Sequence, residues 1–290
     1  MEQAMKGKVV LITGASSGIG KETALGLAKM GANLVLVCRD REKGEAAKGE
    51  IARATGTASI ELFLADLLTQ REVRRVAAEF MATHPRLDVL VNNAGASFMD
   101  YAETEDGVER TMAVNYFAPF LLTNLLLVTL KNSAPSRVVN LTSSEHYDAH
   151  IDLNNLNKDS HMGTVGSEAY RRSKLAIVLF TYELARRLQG TGVTANCLNP
   201  GAVRTNIWNH AGALTPLFRF MSLFMPSAEK GAQPSIYLAS SPEVGGESGK
   251  YFDKRMPKRS SEISYDAPLA KKLWDLSERM TGLGAASVPA

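Results

Sequence analysis

Cysteine is nearly absent: Cys38 and Cys197 are the two thiols in 290 residues. That is too few for a disulfide framework, and their separation fits neither a zinc nor an iron–sulfur spacing, so a reducing compartment is expected. Charge of one sign is missing too. Lys and Arg number 33 against 30 Asp and Glu, a formal net charge of +3, which argues against a nucleic-acid binder built on a basic surface. There is no long hydrophobic run. The longest apolar stretch, residues 117–130, falls short of the roughly 20 residues that span a bilayer, and Pro119 and Asn124 interrupt it. No transmembrane segment is expected. The opening residues MEQAMKGKVVLITG show no secretory signal, and a cytoplasmic location follows as the expectation. Neither an internal repeat nor a Pro/Ser-rich linker divides the chain.

What is present is a globular composition, 45% hydrophobic, of a length that suits one large domain. Strand-like runs alternate with helix-like ones, the pattern of an α/β fold: a single doubly wound parallel sheet with helices on both faces. Residues 8–13 (KVVLIT) read as a first strand and 21–30 as a helix stopped by Gly31. Further strands are expected at 33–37, 59–65, 87–91, 137–142 and 193–198. Thr69 and Glu72 form a capping box that opens a helix ending near His84-Pro85. Long helices are expected at 108–130 and 168–188. Past Gly201 the periodicity breaks down: 206–226 is rich in Trp, Phe, Leu and Met, and Pro234 predicts a kink or a late start in a helical stretch. The expected organisation is one domain over 1–290, with a core at 6–252, a small helical lid at 206–226 and a polar, basic tail at 253–290. That tail carries one helix-like segment near 269–280 and a frayed end.

Three features carry chemistry. Between the first strand and first helix lies Thr13-Gly14-Ala15-Ser16-Ser17-Gly18-Ile19-Gly20. A helix start offers unpaired N–H groups and a positive dipole end, and glycines let a pyrophosphate approach the backbone; the plainer reading is a tight turn packed by glycines. At the end of the second strand, where a carboxylate would accept from a ribose 2′-hydroxyl, stand Cys38 and Arg39. A guanidinium there suits a 2′-phosphate and favours NADP over NAD, unless Arg39 only caps a solvated turn with Asp40, Arg41, Glu42 and Lys43. Finally, Tyr170 and Lys174 lie four apart on one helix face. An ammonium beside a phenol stabilises the phenolate and lowers its pKa, although such a pair taken alone is mostly an amphipathic coincidence.

Taken together, the order and intervals of TGASSGIG (13–20), Ala65-Asp66-Leu67, Asn92-Asn93-Ala94-Gly95, Asn115, Leu141-Thr142-Ser143-Ser144, Tyr170-Arg171-Arg172-Ser173-Lys174 and Asn199-Pro200-Gly201 with Thr205 resemble the short-chain dehydrogenase/reductase family. The likeness runs from about residue 6 to 252. It implies that Gly14, Ser16, Ser17, Gly18, Ile19 and Gly20 cradle the pyrophosphate, that Asp66 and Leu67 meet the adenine, and that Asn93, Ala94 and Gly95 lie along NADP(H). Pro200, Gly201, Val203 and Thr205 would hold the carboxamide, and Lys174 the nicotinamide ribose. By the same likeness Tyr170 is the proton donor, Asn115 keeps a water in a relay to Lys174, and Ser144 hydrogen-bonds the substrate oxygen, with Ser143 as the alternative.

Within the family, residues 36–44, 170–192 and 248–252 are similar to the retinol dehydrogenase-like group, as is the 26-residue interval from Ser144 to Tyr170. A membrane anchor of the kind many of those enzymes carry is not expected before the first strand, and the tail beyond residue 253 departs from the resemblance. The implied activity is NADPH-linked reduction of an apolar carbonyl, in a homodimer or homotetramer. The alternatives are a non-catalytic NADP(H)-sensing regulator and lyase or epimerase chemistry. The interval holds His146, His150 and His161, but their spacing matches no zinc motif, and solvated loop histidines are expected with no metal. Tyr147 is a poor rival to Tyr170 because no Lys stands four residues beyond it. The segment 206–226 would cover the nicotinamide end, the competing readings being a dimer contact, plain core or a surface resting on membrane.

Overall fold

Strand β1 (Val9–Thr13) is buried at all five positions, as a β-branched run must be when helices cover both faces of a sheet. The computed structural model describes residues 4–57, 59–98, 100–156, 168–201 and 227–283. From β1 the chain alternates through α1 (Gly18–Lys29), β2 (Asn33–Cys38), α2 (Arg41–Thr55), β3 (Ile60–Leu64), α3 (Gln70–Thr83) and β4 (Val89–Asn92). Later come β5 (Ser136–Leu141), α7 (Glu168–Arg187), β6 (Val193–Asn199), α8 (Ala228–Ser240), β7 (Tyr251–Asp253), β8 (Met256–Lys258) and α9 (Ala267–Thr281). The strands form one sheet in the order β3-β2-β1-β4-β5-β6-β7-β8. Because β2 and β3 lie on one side of β1 and β4 on the other, the order reverses beside β1, and a cleft opens past the carboxyl ends of the strands there.

Seven strands are parallel, as the sequence suggested, and β8 adds an antiparallel edge beside β7. A two-residue turn at Lys254 and Arg255, both with left-handed φ, returns the chain beside β7, which a short hairpin permits without a crossover helix. The core divides into two layers. On one face α1 meets α8 so closely that a Cβ at Gly26 would stand 2.3 Å from Ile236 Cδ1. On the other, Phe80, Tyr116, Phe120 and Phe180 are fully buried.

Several boundaries differ from the sequence expectation, each for a physical reason. Helix α1 begins at Gly18, directly out of the glycine loop. The expected single helix at 108–130 is broken into α4 (Arg110–Met112), a π-helical turn (Ala113–Phe117), α5 (Ala118–Leu125) and α6 (Leu127–Asn132). Pro119 has no N–H to give the carbonyl of Asn115 its α-helical partner, and the ladder shifts register at that point. Pro234 neither delays nor ends α8, which runs through it from Ser227, whose side chain accepts from Lys230 N–H. The tail is docked along much of its length. Asp266 caps α9, Gly282 closes it in a left-handed conformation, and Trp274 packs 5.1 Å from Phe120 and 5.7 Å from Phe180 with Arg187 4.1 Å over its ring. The lid expected at 206–226 lies outside the described residues.

Candidate active site

The glycine loop is shaped by close approach as much as by conformational freedom. Gly14 has φ +67°, and a Cβ on it would lie 2.8 Å from Ala94 Cα; one on Gly20 would lie 2.4 Å from both Asn93 Nδ2 and Gly14 O. The end of β4 therefore rests directly on the loop, fastened by Asn93 Nδ2 donating to the Thr13 carbonyl (2.8 Å) and by Thr13 Oγ1 accepting from Asn93 and Ala94 N–H (3.0 Å each). Gly18, at φ +57°, faces open space.

Helices α2, α3, α8 and α9 begin with a side-chain cap from Asp40, Thr69, Ser227 and Asp266. Helix α1 has none at Ser17 and no acidic residue in its first turn. Its open N–H groups and positive dipole end point into the cleft, an arrangement that accepts an anion such as a diphosphate. The residues present thus fit a dinucleotide.

The cleft, of about 630 Å³, is lined by Gly14, Ser16, Ser17, Gly18, Ile19 and Gly20 at one wall, Arg39, Asp66 and Leu67 at the adenosine end, and Asn93, Ala94 and Gly95 along the floor. Ser143, Ser144, Tyr170, Lys174, Pro200 and Gly201 complete it. Val203 and Thr205 lie outside the described residues. Lys43, which the sequence reading placed only in a solvated turn, also lines the adenosine end beside Arg39, and its Nζ sits 3.6 Å from Asp40. The side chain of Cys38 is buried, and burial pushes its thiol up to about 11.

Helix α7 carries Tyr170 and Lys174, both buried. A polar chain holds that helix to the sheet: Asn92 Nδ2 donates to Asn140 Oδ1 (2.8 Å) and Asn140 Nδ2 to Thr181 Oγ1 (2.9 Å). Thr142 Oγ1 donates to the Lys174 carbonyl (2.7 Å), tying the serine-bearing loop to the same helix turn. Lys174 Nζ sits 5.3 Å from the Tyr170 ring centroid and 3.4 Å from the Leu141 carbonyl. Burial brings the amine down to about 8.

The sequence reading expected this cation to lower the phenol's pKa. Instead, burial pushes Tyr170 up to about 12, with the Ser143 hydroxyl, hydrogen-bonded to it, acting in the opposite sense and Glu145 adding to the rise. Glu145 lines the cleft and is held 3.1 Å from Arg171. Glu145 was not singled out in the sequence.

Of the two adjacent serines, Ser143 faces Tyr170. Its backbone is extended (φ −155°, ψ 161°) and its Oγ accepts from Glu145 N–H at 3.3 Å, which leaves its proton to be donated. Ser144 enters the 3₁₀ turn Ser144–Asp148, so its side chain diverges and is exposed, although it too borders the cleft. Asn115 sits behind this group in the π-helical turn, its amide committed to Ala96 O (2.9 Å), Ala96 N–H (2.8 Å) and Ser173 Oγ (3.0 Å). Its side-chain amide is thus fully engaged, and its main-chain carbonyl is the one that Pro119 leaves without an α-helical N–H. A Cβ at Gly95 would stand 3.1 Å from Asn115 Oδ1 and 3.6 Å from Lys174 Nζ, so the missing side chain keeps the gap between them open.

A sheet that reverses its strand order beside a glycine loop, with a buried Tyr-Lys pair and an adjoining Ser at the carboxyl ends, defines a nicotinamide-dependent oxidoreductase. The model of the short chain dehydrogenase family matches residues 8–214, and the chain belongs to that family. It is 46% identical over 288 residues to human retinol dehydrogenase 13, covering 97% of this chain and 87% of that protein. A solved Mycobacterium paratuberculosis protein, 34% identical, superposes with a TM-score of 0.76 over 96% of this chain and 94% of its own. A short chain dehydrogenase from Escherichia coli CFT073, solved with NADPH, is 26% identical with a TM-score of 0.69, covering 88% and 100%. No helix among the described residues is long and apolar enough to cross a membrane.

Proposed function

We propose that this chain is an NADPH-dependent reductase of apolar aldehydes or ketones, with Tyr170 as the proton donor. The observation that carries the reading is the convergence of Ser143, Tyr170 and Lys174 in one cleft with the uncapped start of α1. NADPH, when bound, supplies the hydride. The chain's own groups manage the proton and the charge. At neutral pH a phenol held near 12 carries its proton, the state needed to protonate the oxygen of a carbonyl under reduction. The Ser143 hydroxyl donates to the same oxygen and stabilises the charge that develops on it. Lys174, at about 8, is mostly cationic at pH 7 and supports the phenolate left behind. Arg39 is exposed at the adenosine end, and together with Lys43 and the absence of a carboxylate at Cys38 it supports a 2′-phosphate. The apolar substrate class is supported by the likeness to retinol dehydrogenase 13.

The test is Tyr170→Phe, followed by NADPH absorbance with retinal, medium-chain aldehydes, steroid ketones and quinones, and by cofactor fluorescence for binding. Turnover falls by roughly 10²- to 10⁴-fold while NADPH affinity stays within about twofold. Undiminished turnover in the variant refutes the assignment of the acid.

A further inference from the structure

Among the buried titratable groups that this mechanism leaves unused, one stands three residues beyond Ser143. His146 is fully buried, packed 4.1 Å from the Tyr147 ring and 4.8 Å from the Tyr251 ring of β7. Both of its ring nitrogens are spent on main chain. Nδ1 lies 2.6 Å from the carbonyl oxygen of Ser143 and Nε2 lies 3.2 Å from the amide nitrogen of Ser261. An amide nitrogen can only donate, so Nε2 is the acceptor and the ring proton sits on Nδ1, pointing at the Ser143 carbonyl.

The partner at Ser261 is 115 residues away in sequence, and it is anchored in its own right. Tyr147 Oη donates to the Arg259 carbonyl (2.6 Å). Ser260 Oγ shares a 2.7 Å hydrogen bond with Tyr182 of α7 and a 2.6 Å one with Ser264, and Ser260 N–H donates to Tyr265 Oη (3.1 Å). The segment from Arg259 to Tyr265 therefore grips the helix that carries Tyr170 and, through one imidazole, the residue whose hydroxyl faces Tyr170.

We propose that His146 is a positioning residue that clamps the Ser143 main chain to the C-terminal segment at Ser261, so that this segment, beyond the dinucleotide-binding core, sets where the Ser143 hydroxyl meets the substrate oxygen. The assignment rests on the catalytic reading above. A displacement of about 1 Å at such a hydroxyl costs up to 10²-fold in rate without touching the cofactor's binding surface.

Three full-length variants test it. His146→Phe keeps a ring in the packing and removes both bonds. His146→Asn keeps a donor at the Nδ1 position. Ser261→Pro deletes the amide donor, and the native φ of −58° at that residue is one proline adopts; the lost hydroxyl has no hydrogen-bond partner. In His146→Phe, kcat falls by about tenfold or more with the NADPH dissociation constant within about twofold. His146→Asn recovers most of that loss, and Ser261→Pro lowers kcat in the same direction by less. In the ligand-free wild type at pH 7, ¹⁵N spectra show the histidine protonated at Nδ1 and unprotonated at Nε2. Full kcat per bound cofactor in His146→Phe, no recovery in His146→Asn, or an Nε2-protonated ring overturns the clamp. Wild type and Ser143→Ala are run alongside: a wild type without turnover, or an undiminished Ser143→Ala, defeats the catalytic reading, whereas the ring tautomer reports on the clamp in either case.

Discussion

Lys174 is held in the folded chain at a cost, and the cost is measurable. Its amine falls from 10.5 to about 8, by burial, and a depression of that size corresponds to about 3 kcal/mol of disfavoured charge in the native state. The unfolded chain binds its proton up to about 10.5 and the folded one only up to about 8. Between those values the unfolded state carries more protons, so this group's contribution to stability rises with pH across that window, and below pH 8 the penalty is present in full. Lys174→Met keeps the length and packing and removes the charge. Urea unfolding of the ligand-free proteins at pH 7 shows the variant more stable than wild type by about 1–3 kcal/mol, the difference shrinking as pH is raised from 8 toward 10.5. The same variant loses roughly 10²-fold or more in kcat, since its phenol has lost its supporting cation. A variant less stable than wild type at pH 7, or a difference independent of pH, refutes the argument from burial.

The remaining predictions concern separate parts of the molecule. Arg39→Ala raises the dissociation constant for NADPH by roughly 10- to 100-fold, the worth of a charge-assisted contact, and leaves that for NADH unchanged, as read by cofactor fluorescence. Ser143→Ala lowers kcat by about 10²-fold, whereas Ser144→Ala, altering an exposed side chain that diverges from the phenol, changes it by less than about twofold; steady-state assays of the pair decide between the two serines. Trp274→Ala empties the slot between Phe120 and Phe180 and costs about 3–5 kcal/mol in urea unfolding, with kcat per folded molecule retained.

Alternation of β-branched runs with amphipathic ones, punctuated by glycine, was enough to place β1 through β6 and most of their connecting helices, because periodicity and turn chemistry are local. The glycine loop and the Tyr170/Lys174 pair were legible for the same reason, one lying at a strand end and the other along one helix face, whereas Asp66 and Asn93 were reached through the resemblance to the family; all border a single cleft. The choice between Ser143 and Ser144 was not, because neighbouring residues separate only when the backbone leaves an extended conformation for a 3₁₀ turn. Nor was the π-helical register at Asn115, although Pro119 carried the signal that an N–H was missing.

Burial and distant partners belong to tertiary structure alone. A Tyr/Lys spacing says that a cation stands near a phenol, but the sign of the phenol's shift depends on how much water it has lost, and here desolvation raises it. His146 looked like a solvated loop residue because the groups that enclose it, Tyr251 and Ser261, arrive from more than a hundred residues away. The sequence by itself determined the alternation that builds the sheet and the glycine loop, since those follow from local periodicity and turn stereochemistry, and its resemblance to the family pointed to Tyr170. Only the folded chain decided which serine faces that phenol and that the segment at Ser261 reaches back to the turn following it, since those depend on contacts made across the whole chain.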